Sequence, residues 1–232
     1  MESDRNPGRV LVTGGASGLG AAVVTAVRAA GGTPLVLDKQ APGPDAADFA
    51  TVDVSDSAAV AEAVNTVAER VGGLDAVVTA AGTDCCGPLG EVSTADWERV
   101  VRVNLFGTAA VVRAALPHLE RTHGRVVTVA STLGVRVAGD ATAYCASKFG
   151  VVGFTRALAM ETAGKIGVTL LVPGGMKTRF FDDRTEQYRP PSDAALNSPD
   201  NVAASILHAL TAPEGCEVRE MVVCHELEPS WP

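Results

Sequence analysis

Residues 9–38 read RVLVTGGASGLGAAVVTAVRAAGGTPLVLD. The apolar run at 10–12 predicts a β-strand, and the glycine-rich stretch after it, 13–20, predicts a tight turn. The Ala- and Val-rich stretch 19–30 predicts a helix that ends at Gly31 and Gly32, before a second strand at 33–38. Strand, helix and strand in close succession are typical of a βαβ unit with parallel strands.

The same alternation continues along the chain. Further strands are predicted at 50–54, 76–79, 125–130, 167–172 and 218–224, the last of edge type, and further helices at 58–71, 94–118, 143–162 and 201–210. Right-handed crossovers then give an α/β fold, a doubly wound parallel sheet in three α/β/α layers, as one domain over 1–232. The charged, proline-rich stretch 179–199 contains no clear element, and we expect it to act as a lid over the site.

Composition excludes several classes of protein. The 232 residues contain 27 acidic and 19 basic side chains, a net charge of −8 that disfavours binding to nucleic acid. The N-terminal stretch 1–9 has no signal-peptide core, and no run of about 18 apolar residues predicts a membrane span. The five cysteines fit neither a disulfide framework nor a zinc site. We therefore expect a cytoplasmic protein with reduced, buried thiols and no metal.

The first turn has glycines at the spacing G-x-x-x-G-x-G, formed by Gly14, Gly18 and Gly20. Glycine lets the backbone approach a ligand closely, and the N-terminus of the following helix favours an anion. Packing and chain reversal alone explain many such turns. Between an apolar strand and an Ala-rich helix, however, this turn predicts a site for the pyrophosphate of a dinucleotide.

Two acidic residues end the next strands. Asp38 can accept hydrogen bonds from the ribose hydroxyls of adenosine and would repel a 2′-phosphate, which favours NAD over NADP. Lys39 beside it would soften that repulsion, and Asp38 can also be read as a residue that merely ends a strand. Asp53 could accept from the adenine amino group, with the Val54 backbone beside it, or could simply begin a turn.

Tyr144 and Lys148 are four residues apart on a predicted helix, so both side chains lie on one face. A nearby ammonium lowers the pKa of a phenol, which would make Tyr144 an acid/base near neutral pH. Ser131, at the end of the fifth strand, lacks the surroundings of a nucleophile and could instead position a substrate oxygen. Asn104, within a predicted helix, indicates a local kink or an ordered water, or a satisfied structural amide.

Taken in order, these features resemble the short-chain dehydrogenase/reductase family over residues 8–224. The residues in the match are Thr13-Gly14-x-x-x-Gly18-x-Gly20, Asp38, Asp53, Asn104, Ser131, Tyr144-x-x-x-Lys148 and Pro173-Gly174-x-x-x-Thr178. The family's usual Asn-Ala-Gly after the fourth strand is Ala80-Ala81-Gly82 here, which bears on local stability more than on chemistry. The resemblance implies a single-domain Rossmann-type fold that assembles into a homo-dimer or homo-tetramer.

The resemblance also implies the roles of the site residues. Tyr144 is the acid/base and Ser131 orients the substrate. Lys148 lowers the tyrosine pKa and binds the nicotinamide ribose, and Asn104 holds a water in a proton relay. The residues expected at the cofactor are Gly14, Ser17, Gly18, Leu19, Gly20, Asp38, Asp53, Val54, Ala80, Gly82, Tyr144, Lys148, Pro173, Gly174, Met176 and Thr178.

The predicted function is hydride transfer between NAD and a small secondary alcohol or ketone. One alternative is a 3-oxoacyl-thioester reductase that uses NADPH, which Asp38 disfavours. Another is a dinucleotide-binding regulator without turnover, but binding alone does not require Tyr144 and Lys148 at this spacing.

Overall fold

The computed structural model of the protein describes residues 6–228 and 231. Its centre is a seven-stranded sheet in the order β3-β2-β1-β4-β5-β6-β7, and every pair of neighbours is parallel. The strands are β1 (Arg9–Thr13), β2 (Thr33–Asp38), β3 (Asp48–Thr51), β4 (Ala76–Thr79), β5 (Arg125–Val129), β6 (Gly167–Pro173) and β7 (Glu220–Val223). The predicted α/β fold is confirmed, and β7 lies at an edge as expected. The predictions for 1–5 and for the last residues of the chain lie outside the described residues.

Six helices connect the strands within the described part of the chain. They are α1 (Gly18–Ala29), α2 (Ser57–Val71), α3 (Thr94–Val101), α4 (Thr108–Thr122), α5 (Thr142–Glu161) and α6 (Pro199–Leu210). Local chemistry explains their ends: the Asp56 carboxylate accepts from the N–H groups of Ala58 and Ala59 at the start of α2, and Gly72 ends α2 at φ 79°.

The sheet is buried on both faces because alternate strand residues point in opposite directions. Leu11 and Leu35 pack with α2 and α4 on one face, whereas Val10, Val12 and Val36 pack with α1 and α6 on the other. This arrangement gives the three layers that the sequence predicted.

The sheet order reverses between β1 and β4. From β1 the chain moves outward through β2 and β3, then returns to β4 and continues to the opposite edge. Ligands of doubly wound folds bind outside the carboxyl ends of the strands at such a switch point. The turns after β1, β4, β5 and β6 therefore define where the site must lie.

The long helix predicted at 94–118 is interrupted. A π-helical turn, Arg102–Gly107, separates α3 from α4, which agrees with the kink expected at Asn104. By length and mean hydropathy (1.3), Thr94–Thr122 could cross a membrane, but core helices pass the same test. Its segments pack against α2 and α5, as those of a core helix do.

The edge strand β3 and the segment 179–199 also differ from their predictions. β3 spans Asp48–Thr51 rather than 50–54, because the edge strand pairs with β2 only between Leu35 and Asp38. The segment 179–199 contains two short 3₁₀ turns, Arg179–Phe181 and Glu186–Tyr188, where the sequence indicated no regular element.

Candidate active site

The turn after β1 is close-packed in a way that only glycine allows. A Cβ on Gly14, which has φ +70°, would lie 2.9 Å from the Ala81 backbone, and one on Gly20 would overlap the Gly14 carbonyl. Ser17 precedes α1, and its side chain makes no capping hydrogen bond there; no acidic residue follows in the first turn. The N-terminus of α1 is therefore suited to an anion such as a pyrophosphate.

Asp38 lies beside this turn. Its carboxylate accepts from the Ala16 N–H (3.0 Å) and the Gln40 N–H (2.9 Å), so it fixes the turn's backbone. Lys39 pairs with Asp53 (3.0 Å) instead of shielding Asp38. The negative charge that would discriminate against a 2′-phosphate is thus held at the turn.

Asp53 is occupied by its own surroundings. Its carboxylate accepts from the backbone N–H (2.9 Å) and hydroxyl (2.8 Å) of Ser55. The backbone hydrogen bond from Ser55, above all, and the Lys39 ammonium hold the pKa of Asp53 below its usual value. Val54 is buried against Gly107. These contacts agree with the turn-initiating alternative, and they keep the carboxylate ionised.

Tyr144 and Lys148 lie on one face of α5, both buried. The Lys148 Nζ is 5.6 Å from the centre of the Tyr144 ring and donates to the Val129 carbonyl (2.9 Å) at the end of β5. Ser131 follows β5 and lies close enough to Tyr144 to affect the pKa of its phenol. The Ser131 hydroxyl also accepts from the Leu133 N–H (3.1 Å), which fixes its position.

Burial controls the titration of this pair. It raises the pKa of Tyr144 to about 12, and although hydrogen bonding to Ser131 lowers that pKa, burial outweighs it. Burial also lowers the pKa of Lys148 to about 8. The expectation that Lys148 brings the tyrosine pKa down is therefore not met by the protein's side chains alone. The phenol is protonated at neutral pH and ready to donate.

Asn104 is fully buried and joins three elements. Its Oδ1 accepts from the Thr83 N–H (2.8 Å), and its Nδ2 donates to the Thr83 carbonyl (2.9 Å) and to the Ser147 hydroxyl (3.0 Å). The side chain is thus a satisfied structural amide, one of the alternatives left open above. It ties the π-helical turn to α5 and to the loop after β4, where Gly82 packs beside Asn104 and Lys148.

The loop after β4 shows how the missing family asparagine is accommodated. The Ala81 N–H donates to the Thr13 hydroxyl (3.1 Å), which joins the ends of β1 and β4. The buried Thr79 hydroxyl has no hydrogen-bond partner among the described residues, and Ala80 offers no side-chain group to satisfy it. One polar atom is thus unpaired at the centre of the sheet.

The loop after β6 reaches the first turn. Thr178 lies beside Gly18, since a Cβ added to Gly18 would be in ordinary van der Waals contact with it at 3.6 Å. Gly174 packs against Glu228, whose carboxylate accepts from the Gly175 N–H (2.9 Å). The structure thus brings Thr178 to the predicted cofactor cleft, and it adds a contact from the C-terminal segment that the sequence did not indicate.

The sequence also missed an ion pair beside Tyr144. Arg184 Nη2 donates to Asp84 Oδ2 at 2.6 Å, although the two residues are 100 positions apart. Both charges act on the pKa of Tyr144, which Asp84 raises and Arg184 lowers. The signal for Asp84 was a charged residue two positions after Gly82. Nothing local marked Arg184.

No group of three or more His, Cys, Asp or Glu side chains that could hold a metal exists among the described residues. The five cysteines are unpaired, as expected, but only Cys145 is buried and Cys216 is exposed. The expectation that the thiols are buried is therefore wrong for most of them.

A doubly wound sheet with a glycine turn at its switch point and a buried Tyr–Lys pair beyond β5 defines a nicotinamide-dependent oxidoreductase. The family model described as short chain dehydrogenase matches residues 8–189. The chain belongs to the short-chain dehydrogenase family.

Two proteins of similar sequence and one of similar structure are dehydrogenases. The chain is 37% identical to 2-dehydro-3-deoxy-L-rhamnonate dehydrogenase (NAD(+)) of Sphingomonas sp. (strain SKA58), over 74% of this chain and 73% of that protein. It is 33% identical to meso-2,3-butanediol dehydrogenase of Serratia marcescens, over 78% and 76%. A short chain dehydrogenase from Burkholderia cenocepacia J2315, solved with NADP, superposes with a TM-score of 0.82 at 28% identity, covering 95% of this chain and 97% of that one. The protein is an oxidoreductase that acts on CH–OH or carbonyl groups of a small molecule with a nicotinamide dinucleotide.

Proposed function

We propose that the protein transfers hydride between NAD and a secondary alcohol or ketone, with Tyr144 as the general acid/base. The observation that supports this most directly is the buried pair of Tyr144 and Lys148, with the half-buried Ser131 beside it, at the carboxyl end of β5. When bound, the dinucleotide supplies the hydride donor or acceptor and a positively charged ring.

The side chains have distinct tasks in this proposal. Ser131 holds the substrate oxygen beside Tyr144, whose protonated phenol donates its proton as a carbonyl is reduced. Lys148 binds the nicotinamide ribose and stabilises the phenolate, and Asn104 orders the proton-relay region. The residues proposed to hold the cofactor are Gly14, Ser17, Gly18, Leu19, Gly20, Asp38, Asp53, Val54, Ala80, Gly82, Pro173, Gly174, Met176 and Thr178.

Asp38 is the proposed reason for a preference for NAD over NADP. Its charge is fixed against the glycine turn by Ala16, and Lys39 is directed to Asp53. We expect Asp38→Ala combined with Lys39→Arg to move the ratio of kcat/KM values toward NADP by about tenfold or more, because a repulsive charge is replaced by a phosphate ligand. Coenzyme kinetics on the double variant and the wild type measure this. An unchanged ratio would show that Asp38 does not determine the coenzyme preference.

The role of Tyr144 is tested by Tyr144→Phe. We expect turnover of ketones to fall by about 10² or more, because the proton donor is lost, while NADH binding by fluorescence titration stays near the wild-type value. The chain has two tyrosines, so Tyr188→Phe is a matched control. Near-normal turnover by Tyr144→Phe would reject the assignment.

We further propose a cytoplasmic homo-oligomer. The unpaired cysteines support a reducing compartment. The exposed side chains of Phe106 and Phe149, on adjoining helical segments, support self-association.

A further inference from the structure

Arg184 occupies an unusual environment for a charged side chain. It belongs to the segment 179–199, yet only 19% of its side chain is exposed, and its guanidinium lies against the rings of Phe180 (5.6 Å) and Phe181 (4.7 Å). Phe180 in turn packs against Tyr144, with ring centres 5.8 Å apart. The guanidinium is thus one aromatic ring away from the proposed acid/base.

The hydrogen bonds of Arg184 leave its Nε–H donor unpaired among the described residues. Nη2 donates to Asp84 and Nη1 to the Tyr188 carbonyl (3.2 Å), but the buried Nε has no hydrogen-bond partner among the described residues. A buried, unpaired donor on a charged group is costly, and an incoming acceptor would relieve that cost. The Nε and Nη2 edge of a guanidinium matches the two oxygens of a carboxylate.

Asp84 acts as an internal carboxylate on the same fork. Its side chain is 4% exposed, and its position is fixed by the Cys85 N–H (2.7 Å) and the Cys86 thiol (3.2 Å). Because Asp84 contacts Nη2 and not Nε, it neutralises Arg184 and leaves the Nε side of that edge unpaired. The pair therefore keeps Arg184 in place beside Tyr144 while leaving Nε for another anion.

We propose that Arg184 binds a carboxylate of the substrate, so that the enzyme acts on an oxo acid or hydroxy acid. This inference rests on the proposed hydride transfer at Tyr144, because it places the anion one ring away from the reacting carbonyl. The segment 179–199 then closes over the substrate because its Arg184 binds the substrate carboxylate.

The test compares acids with their neutral amides on the NADH-loaded enzyme. Pyruvate and pyruvamide, acetoacetate and acetoacetamide, and levulinate and levulinamide differ in charge but little in shape. Binding is measured by NADH fluorescence and catalysis by kcat/KM. At least one acid is expected to bind about tenfold or more tightly than its amide, as a charge-assisted pair provides. Equal binding of acid and amide in all three pairs overturns the proposal.

Variants separate recognition from a purely structural ion pair. Arg184→Met should abolish the preference for the acid and leave amide binding within a few-fold, whereas Arg179→Met, an exposed arginine of the same segment, should leave the preference intact. Asp84→Asn should strengthen acid binding, because it removes the competing carboxylate. If Arg184→Met weakens acid and amide equally, or Asp84→Asn weakens acid binding, the pair only holds the segment and the proposal fails.

The binding arm also separates this inference from the proposed function. If the Tyr144→Phe variant turns over as fast as the wild type, the role of Tyr144 is contradicted. The ratio of acid binding to amide binding still decides the role of Arg184. Conversely, turnover of the amides with no preference for the acids would support the Tyr144 chemistry and reject the carboxylate site.

Discussion

Lys148 is a buried ammonium, and its protonation opposes folding. Burial lowers its pKa from 10.5 to about 8. At neutral pH the folded state therefore bears a cost of about 3 kcal/mol, offset in part by roughly 1.5–3 kcal/mol from the charged hydrogen bond to Val129. We expect Lys148→Met to raise the free energy of unfolding at pH 7.5 by about 1 kcal/mol, although it removes a proposed catalytic group.

The stability difference between wild type and Lys148→Met should depend on pH. Between pH 8 and 10.5 the unfolded lysine still binds a proton that the folded one has released, so wild-type stability rises with pH in that window. In urea unfolding, the stability of Lys148→Met relative to wild type should fall by about 2 kcal/mol between pH 7.5 and 9.5, so that its advantage turns into a deficit of about 1 kcal/mol. Lys177→Met, at an exposed site, should show no such trend. A pH-independent difference would contradict the depressed pKa.

At the scale of elements, the position of Ser131 depends on how a 3₁₀ turn meets α5. The turn Thr132–Gly134 follows Ser131, and a Cβ on Gly134 would lie 2.8 Å from the Lys148 carbonyl. Gly134→Ala should push the turn away from α5 and separate Ser131 from Tyr144. We expect kcat to fall about tenfold or more and stability to fall by about 1–3 kcal/mol, measured by steady-state kinetics and urea unfolding.

Gly139→Ala is the control for that prediction, because a Cβ there meets nothing within 4 Å. It changes the same residue type in the loop before α5 without crowding the helix. If Gly134→Ala retained wild-type kcat, the turn would not determine the geometry of Ser131.

The sequence predicted best those elements whose extent follows from their own residues. The strand at 76–79 is observed at those residues because every side chain in it is buried. The half-exposed edge strand β3 was misplaced, since its extent depends on pairing with β2. The pair Tyr144 and Lys148 was visible because the two residues are four positions apart in the chain. Arg184 and Asp84 meet only through the fold, and the Tyr144 pKa depends on burial that no spacing reveals.

At the scale of the whole molecule, the switch point assembles one site from distant parts of the chain. The turn after β1, the loop after β4, α5 and the loop after β6 converge there, and the segment 179–199 covers Tyr144 through Phe180. A surface remains that this arrangement does not use. The π-helical turn and α5 adjoin where Leu105 packs on Gly150, and next to that contact Phe106 (55% exposed) and Phe149 (44% exposed) face outward.

This apolar surface predicts self-association. A net charge of −8 opposes contact between copies, and the exposed aromatic side chains on the two adjoining helical segments favour an interface that overcomes the repulsion. We expect light scattering after size exclusion to give a dimer or larger, and Phe106→Asp with Phe149→Asp to shift it toward monomer with an unchanged circular dichroism spectrum. Phe49→Asp, equally exposed (43%) on edge strand β3, should have no effect. A wild-type monomer at micromolar concentrations, or a double variant that associates as before, would show that copies do not meet through this face.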